Sequence, residues 1–167
     1  FDPQKQDVGL WTLQTFRNYM TSLMQRGMNR SLVLVEFDKL DYLRQLTSAY
    51  KSYALPALKA MLTKWNDNDF SVEVVDKIAE YYESYFISTE DSDAEKAKTK
   101  EIYELLNRTV QRYPRYERIG LLQNRLTKLT QPTVSVSGQN TYPLRWKKEM
   151  EISYRNITEL EIDIYQV

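Results

Sequence analysis

The side chains able to do chemistry in this sequence are few in kind. It holds 23 Asp and Glu and 23 Lys and Arg, but no histidine and no cysteine. Without imidazole or thiol, histidine-dependent serine triads, thiol nucleophiles and the ordinary zinc and haem ligand sets are excluded. The glycines, Gly9, Gly27, Gly120 and Gly138, stand too far apart to build a glycine-rich phosphate loop. Carboxylates, cations and aromatics remain.

Glu90, Asp91, Asp93 and Glu95 are the densest acidic cluster. Calcium needs six to eight oxygens, usually around a glycine turn, and this stretch has no glycine. The better reading is acidic residues at the start of a helix, where the dipole favours them. Asp67 and Asp69 read as turn and cap. Glu80 and Glu83 could be written as a general acid and base, but nothing selects them from the other carboxylates. Arg108, Arg112 and Arg115 fall near one helical face, with Arg118, Arg125 and Lys128 after them. A phosphate site would take such a row, yet zero net charge favours a solvated face with cations near helix ends. Tyr81, Tyr82, Tyr85 and Phe86, with Tyr50, Tyr53 and Trp65, could form a platform for sugars or peptides; their helical spacing favours interhelical core. Three triplets match the N-glycosylation pattern at Asn29, Asn107 and Asn156, and such matches arise readily by chance. The residues therefore nominate no catalytic, cofactor-binding or metal site, and no cofactor.

The elements that carry these groups are mostly helices. Leu13, Phe16, Met20 and Leu23 predict a helix from Leu10 to about Met28, ended by Gly27. Val33, Phe37, Leu40 and Leu43 predict a second over Ser31–Leu46, although Leu32–Val35 alone could be a strand. A third, Ser48–Trp65, has Tyr50, Ala54, Leu58, Met61, Leu62 and Trp65 inward, and must begin or kink at Pro56. A fourth, capped by Asp69 or Ser71, turns Val72, Val75, Ile78, Ala79, Tyr82 and Phe86 inward. A fifth starts at the Ser92/Glu95 capping box and runs to about Tyr113, through Ala94, Ala97, Ile102, Leu105, Leu106 and Val110. Pro114 stops it, and a sixth follows from Arg115 to about Leu129, through Ile119, Leu122 and Leu126. The expected core includes Trp11, Phe16, Trp65, Tyr82, Phe86, Leu105, Ile119 and Leu122.

Past Thr130 the period changes from helical to alternating. Pro132–Gly138, then Met150, Ile152 and Tyr154, then Leu160, Ile162 and Ile164 predict three half-buried strands, the last two joined by a turn near Asn156. The expected fold is therefore α+β, mainly α: a stack of about six helices in hairpins over 1–130, then a partial antiparallel β-sandwich over 131–167. The alternating pattern fits the opening strands of a larger β-domain and equally a small complete sheet packed on the helices.

The β-segment carries a resemblance. Leu129-Thr-Gln-Pro-Thr-Val-Ser-Val136, Tyr142-Pro143, Ile152-Ser-Tyr-Arg-Asn156 and Leu160-Glu-Ile-Asp-Ile-Tyr165 resemble the start of the first macroglobulin-like domain in large bacterial alpha-2-macroglobulin-like proteins. The helical part is similar more loosely, through an early Trp, the Tyr113-Pro114 step in a helix pair, and a Leu-rich helix leading into the first strand. The resemblance implies a non-catalytic N-terminal scaffold of a secreted endopeptidase trap, periplasmic or anchored to the outer membrane. Its partners would be the remaining β-domains of the same polypeptide, with proteases as targets of the parent. Such parents act through a bait segment and, in some, a cysteine thioester; neither lies here, so no family functional residue transfers. Zero net charge argues against nucleic acid, and no stretch reaches the ~18 apolar residues that span a bilayer. The rival readings are a stand-alone helical-hairpin module that binds protein or glycan and, last, a carboxylate-based hydrolase, which requires a deep cleft with two convergent carboxylates.

Overall fold

A computed structural model of the chain describes residues 8–87, 93–137 and 151–163. Over these it is mainly helical, with six helices and one small two-stranded antiparallel sheet. The helices are α1 (Val8–Gln25), α2 (Asn29–Leu46), α3 (Tyr50–Trp65), α4 (Ser71–Tyr85), α5 (Asp93–Arg112) and α6 (Ile119–Thr130). The strands are β1 (Thr133–Ser137) and β2 (Glu151–Arg155).

Each helix packs on its successor, so the chain forms three antiparallel hairpins, and α4 touches α3, α5 and α6. This central place explains its burial. The spacing assigned α4 one inward face, but Val74 and Tyr81 are buried too, because neighbours cover the helix from two sides.

Local chemistry sets the ends of the helices. Gly27 adopts φ +68°, and the Gly27 and Met28 amides donate to the Met24 and Leu23 carbonyls, closing α1 in a Schellman turn. Leu32–Val35 is helical: Leu32 and Val33 are adjacent and both buried, which a strand with alternating faces does not allow. α3 passes through Pro56, neither beginning nor ending there. The proline and Ser52, whose carbonyl loses its amide donor, are both exposed, so water can serve that carbonyl.

Several expectations are corrected. Neither Asp69 nor Ser71 caps α4; Phe70 is the N-cap and makes no side-chain bond. Instead the Ser71, Val72 and Glu73 amides donate to the Asn68, Asp69 and Phe70 carbonyls, and the tight turn uses backbone alone. Ala94 and Ala97 are exposed, outside the covered face of α5. α6 begins at Ile119, not Arg115, because residues 113–118 form two turns that carry the Tyr116 ring inward. Trp11 is not core. It is 63% exposed, since α1 lies at the end of the stack and, among the described elements, packs chiefly on α2. Phe16, Phe86 and Leu105 are half-buried, while Trp65, Tyr82, Ile119 and Leu122 are buried.

β1 and β2 pair in the register Val134↔Tyr154 and Val136↔Ile152. Directly opposed residues share a face, so these four make one apolar face, with Thr133, Ser135 and Ser137 on the other. The strands are not half-buried: Val136 is 61% and Tyr154 62% exposed. Residues 159–163 form no strand, so no return strand forms over Leu160 and Ile162; Ile164 and Tyr165 lie outside the described residues. Nor does Asn156 turn a hairpin. It takes φ +57°, and its amide nitrogen donates to the Leu129 and Gln131 carbonyls at 2.7 and 3.1 Å. That clamp ties the end of β2 to the end of α6. Asn156→Ala removes both bonds and places alanine in the left-handed region, a local loss of about 1–2 kcal/mol. Amide exchange in β1 and β2 is expected to speed up while that of α4–α6 is unchanged; equal acceleration everywhere would refute the clamp.

Candidate functional site

A cleft lies beside α4, where α3 and α5 flank it on one side. Lys59, Leu62 and Thr63 of α3 form one wall and Glu101, Ile102, Glu104, Leu105 and Arg108 of α5 the other; Ile78 and Tyr82 of α4 make the floor. Its volume is about 340 Å³, near the lower end of ligand pockets. The facing wall positions are largely long polar side chains, which keep their ends in water above a floor that is itself buried.

Glu101 bridges the walls. It accepts from Lys59 at 2.8 Å and from Lys98, one turn earlier on α5, at 3.0 Å. Lys59, aided by the nearby Tyr82 hydroxyl and Lys98, holds this carboxyl down to about 2. Both ammonium groups also sit over the Tyr82 ring, at 6.0 and 5.9 Å. Tyr82 is 1% exposed, and its hydroxyl makes no hydrogen bond. The Glu101 carboxylate is close enough to act on it electrostatically, but the contact falls short of hydrogen-bond geometry. Burial first, then that carboxylate, pushes the phenol up, so it stays protonated.

The sign of the pH effect follows. Glu101 lies below its ordinary 4.5 in the folded state, so its stabilisation is complete above about 4.5 and is lost as pH falls toward about 2. The side chain is 42% exposed, so water screens the pair and the effect is small. Thermal melts of wild type and Glu101→Gln should differ at neutral pH and converge on acidification through that window. A gap that widened on acidification would contradict the assignment.

A second constellation was missed in the sequence. Glu73, in the first turn of α4, is 5% exposed. It accepts from the Tyr116 hydroxyl at 2.8 Å and from Arg118 at 2.6 Å, with Arg30 of α2 3.9 Å away. Arg30 also pairs with Glu117 and lies over the Tyr116 ring. Three hairpins thus meet on one carboxylate. The only hint in the sequence is a charge inside the apolar run Val72–Val75, and a helix-start glutamate explains that equally well.

The groups nominated by the sequence are mostly tied up. Arg112 pairs with Asp67 at 2.6 Å, and Arg125 with Asp76 and Glu83 at 2.6 and 2.7 Å. The arginine row therefore ties α5 and α6 to α4 and the turn before it; it does not converge on a phosphate. Glu80 binds Lys77 at 3.1 Å, so Glu80 and Glu83 serve separate cations. Tyr50, Tyr81, Tyr85 and Phe86 form one contiguous ring cluster with Tyr82 against Phe86, whereas Tyr53 stays exposed. Asp93 and Glu95 occupy the first turn of α5, while Glu90 and Asp91 lie outside the described residues. Among the described residues no group of three or more acidic side chains is placed to hold a metal ion, and no helix is long and apolar enough to cross a membrane.

Searches of protein-family models, curated proteins and solved structures find no match to this chain. Function is therefore argued from the geometry. Of the two constellations, Glu73 has a partner from within the fold on each carboxylate oxygen. The α3–α5 cleft joins polar groups at its rim to an apolar lining. Glu101, held down to about 2, is ionised at neutral pH.

Proposed function

We propose that this chain is a non-catalytic scaffold: the N-terminal helical part of a macroglobulin-type endopeptidase trap, leading into the first of its β-domains. The carrying observation is the apolar face of Val134, Val136, Ile152 and Tyr154, exposed at all but the half-buried Ile152, beside a closed helical core. An isolated two-stranded hairpin is marginal in water, and this face is suited to a second β-layer. In this proposal the remaining β-domains of the same polypeptide supply that layer and complete a sandwich. Clamped through Asn156, the helical stack would set the direction in which the first strands leave. The sequence resemblance over residues 129–167 supplies the family, and a periplasmic or outer-membrane-anchored location rests on that resemblance alone.

The test uses the native gene product from its source cells, detected with antibody against this chain and then purified. The expected result is a polypeptide many times the 19.9 kDa of this segment. It should protect large protein substrates from an endopeptidase while leaving cleavage of small peptides intact. A product of about this mass, or one without effect on any endopeptidase, overturns the proposal. The α3–α5 cleft favours a second reading, a stand-alone helical-hairpin binding module.

A further inference from the structure

α1 is the end helix of the stack, and one side of it carries an open apolar stripe. α2 packs on the face of Phe16, Met20 and Leu23. About a quarter turn round the helix, Val8, Trp11, Thr15, Tyr19 and Ser22 follow one line at i, i+3, i+7, i+11 and i+14. Val8 is 71%, Trp11 63% and Tyr19 54% exposed. The outer side of a surface helix normally carries charge. α1 has one charged residue, Arg17, where α5 has nine. Arg17 lies about 160° round the helix from Thr15, so the stripe itself is uncharged.

The order of residues along the stripe is self-complementary. Trp11 and Tyr19 stand four residues either side of Thr15, about 6 Å along the axis. Val8 and Ser22 stand seven residues either side of it. When a second copy of the helix is laid antiparallel about a twofold axis through Thr15, Trp11 of each copy meets Tyr19 of the other, and Val8 meets Ser22. Thr15 is small enough for the helix axes to approach to about 8–10 Å. Its hydroxyl already donates to the Trp11 carbonyl at 3.0 Å, so no hydroxyl donor is stranded at the centre. With no charge on the stripe, pairing like with like brings no repulsion. From this we infer that the chain self-associates: α1 of two copies packs antiparallel in an isologous dimer held by two Trp11–Tyr19 pairs. Area sets its strength. Trp11 and Tyr19 leave roughly 250 Å² open between them, and the whole stripe offers roughly 500 Å² per copy, which places the dimer in the weak, transient class. At the micromolar concentrations of a denaturation experiment the chain is monomeric. This inference does not rest on the scaffold reading, and either can fail alone.

The test is sedimentation equilibrium of this chain from about 5 µM to about 1 mM. The weight-average mass is expected to rise from 19.9 kDa toward twice that value, with half-association at roughly 100 µM. Trp11→Ala and Tyr19→Ala each remove both ring pairs and should weaken association roughly tenfold or more. Both residues are exposed, so the variants should stay folded, as circular dichroism can check. Thr15→Cys gives the chain its only thiol. On the twofold axis that residue faces its own copy, with Cα atoms about 5 Å apart, within disulfide reach. With oxidised glutathione as the electron acceptor, Thr15→Cys should form a covalent dimer much faster than Met24→Cys, which is exposed on the opposite side of the helix. A constant mass of 19.9 kDa across the range, association undiminished by Trp11→Ala, or equal cross-linking by Met24→Cys would each overturn the inference.

Discussion

Glu73→Ala is expected to destabilise the chain by about 2–3 kcal/mol, lowering its melting temperature by roughly 4–12 °C. The carboxylate is buried and receives two strong hydrogen bonds, from Tyr116 and Arg118. Removing it leaves the Tyr116 hydroxyl buried without an acceptor. Arg30 and Arg118 are each about half exposed, at 48%, so water can take up their charges. That is why the loss should fall short of the 3–5 kcal/mol typical when a fully buried charge is stranded. Glu73→Gln keeps an acceptor for Tyr116 and should cost less. A double-mutant cycle of Glu73→Ala with Arg118→Ala, read by urea unfolding, should give a coupling of about 1 kcal/mol or more. Additive losses would mean that the two hairpins are held by packing alone.

The second large effect lies in the core. Leu122 is fully buried where α6 packs among α4 and α5. Leu122→Ala leaves a cavity there and should cost about 3 kcal/mol. The informative comparison is Trp11→Ala, which removes a larger side chain from the exposed face of α1 and should change stability by no more than about 0.5 kcal/mol. Measured together by chemical denaturation, the pair tests the position of α1 directly. A loss above about 2 kcal/mol at Trp11 would place α1 inside the stack, with an outer face covered by structure not described by the present helices.

The contrast between Trp11 and Leu122 shows what each level of structure decides. The helical nature of the chain was written in local chemistry. Period-3.6 spacing of Val33, Leu40, Leu58, Ile78, Leu106 and Leu122, Gly27 after α1 and Pro114 after α5 act within a few residues, and those helices formed, α6 one turn later than expected. The excluded chemistries also follow from sequence alone, since a chain without His or Cys cannot supply them. Local pattern does not say which helix is terminal, so it could not separate Trp11 on the exposed α1 from Tyr82 on the enclosed α4. It does not say which cation finds which carboxylate. Arg108 and Arg112 are one turn apart on α5, yet among the described residues only Arg112 reaches a carboxylate, because Asp67 is brought to it by the turn between α3 and α4. Glu73 looked like an ordinary helix-start acid; only the folding of α2 and the α5–α6 turn onto α4 made it a buried hub. Alternation predicted strands at Val134 and Tyr154, but a strand is stabilised by a neighbour and a covering layer. Those come from tertiary structure, which paired β1 with β2 and left Val134, Val136 and Tyr154 of their apolar face exposed.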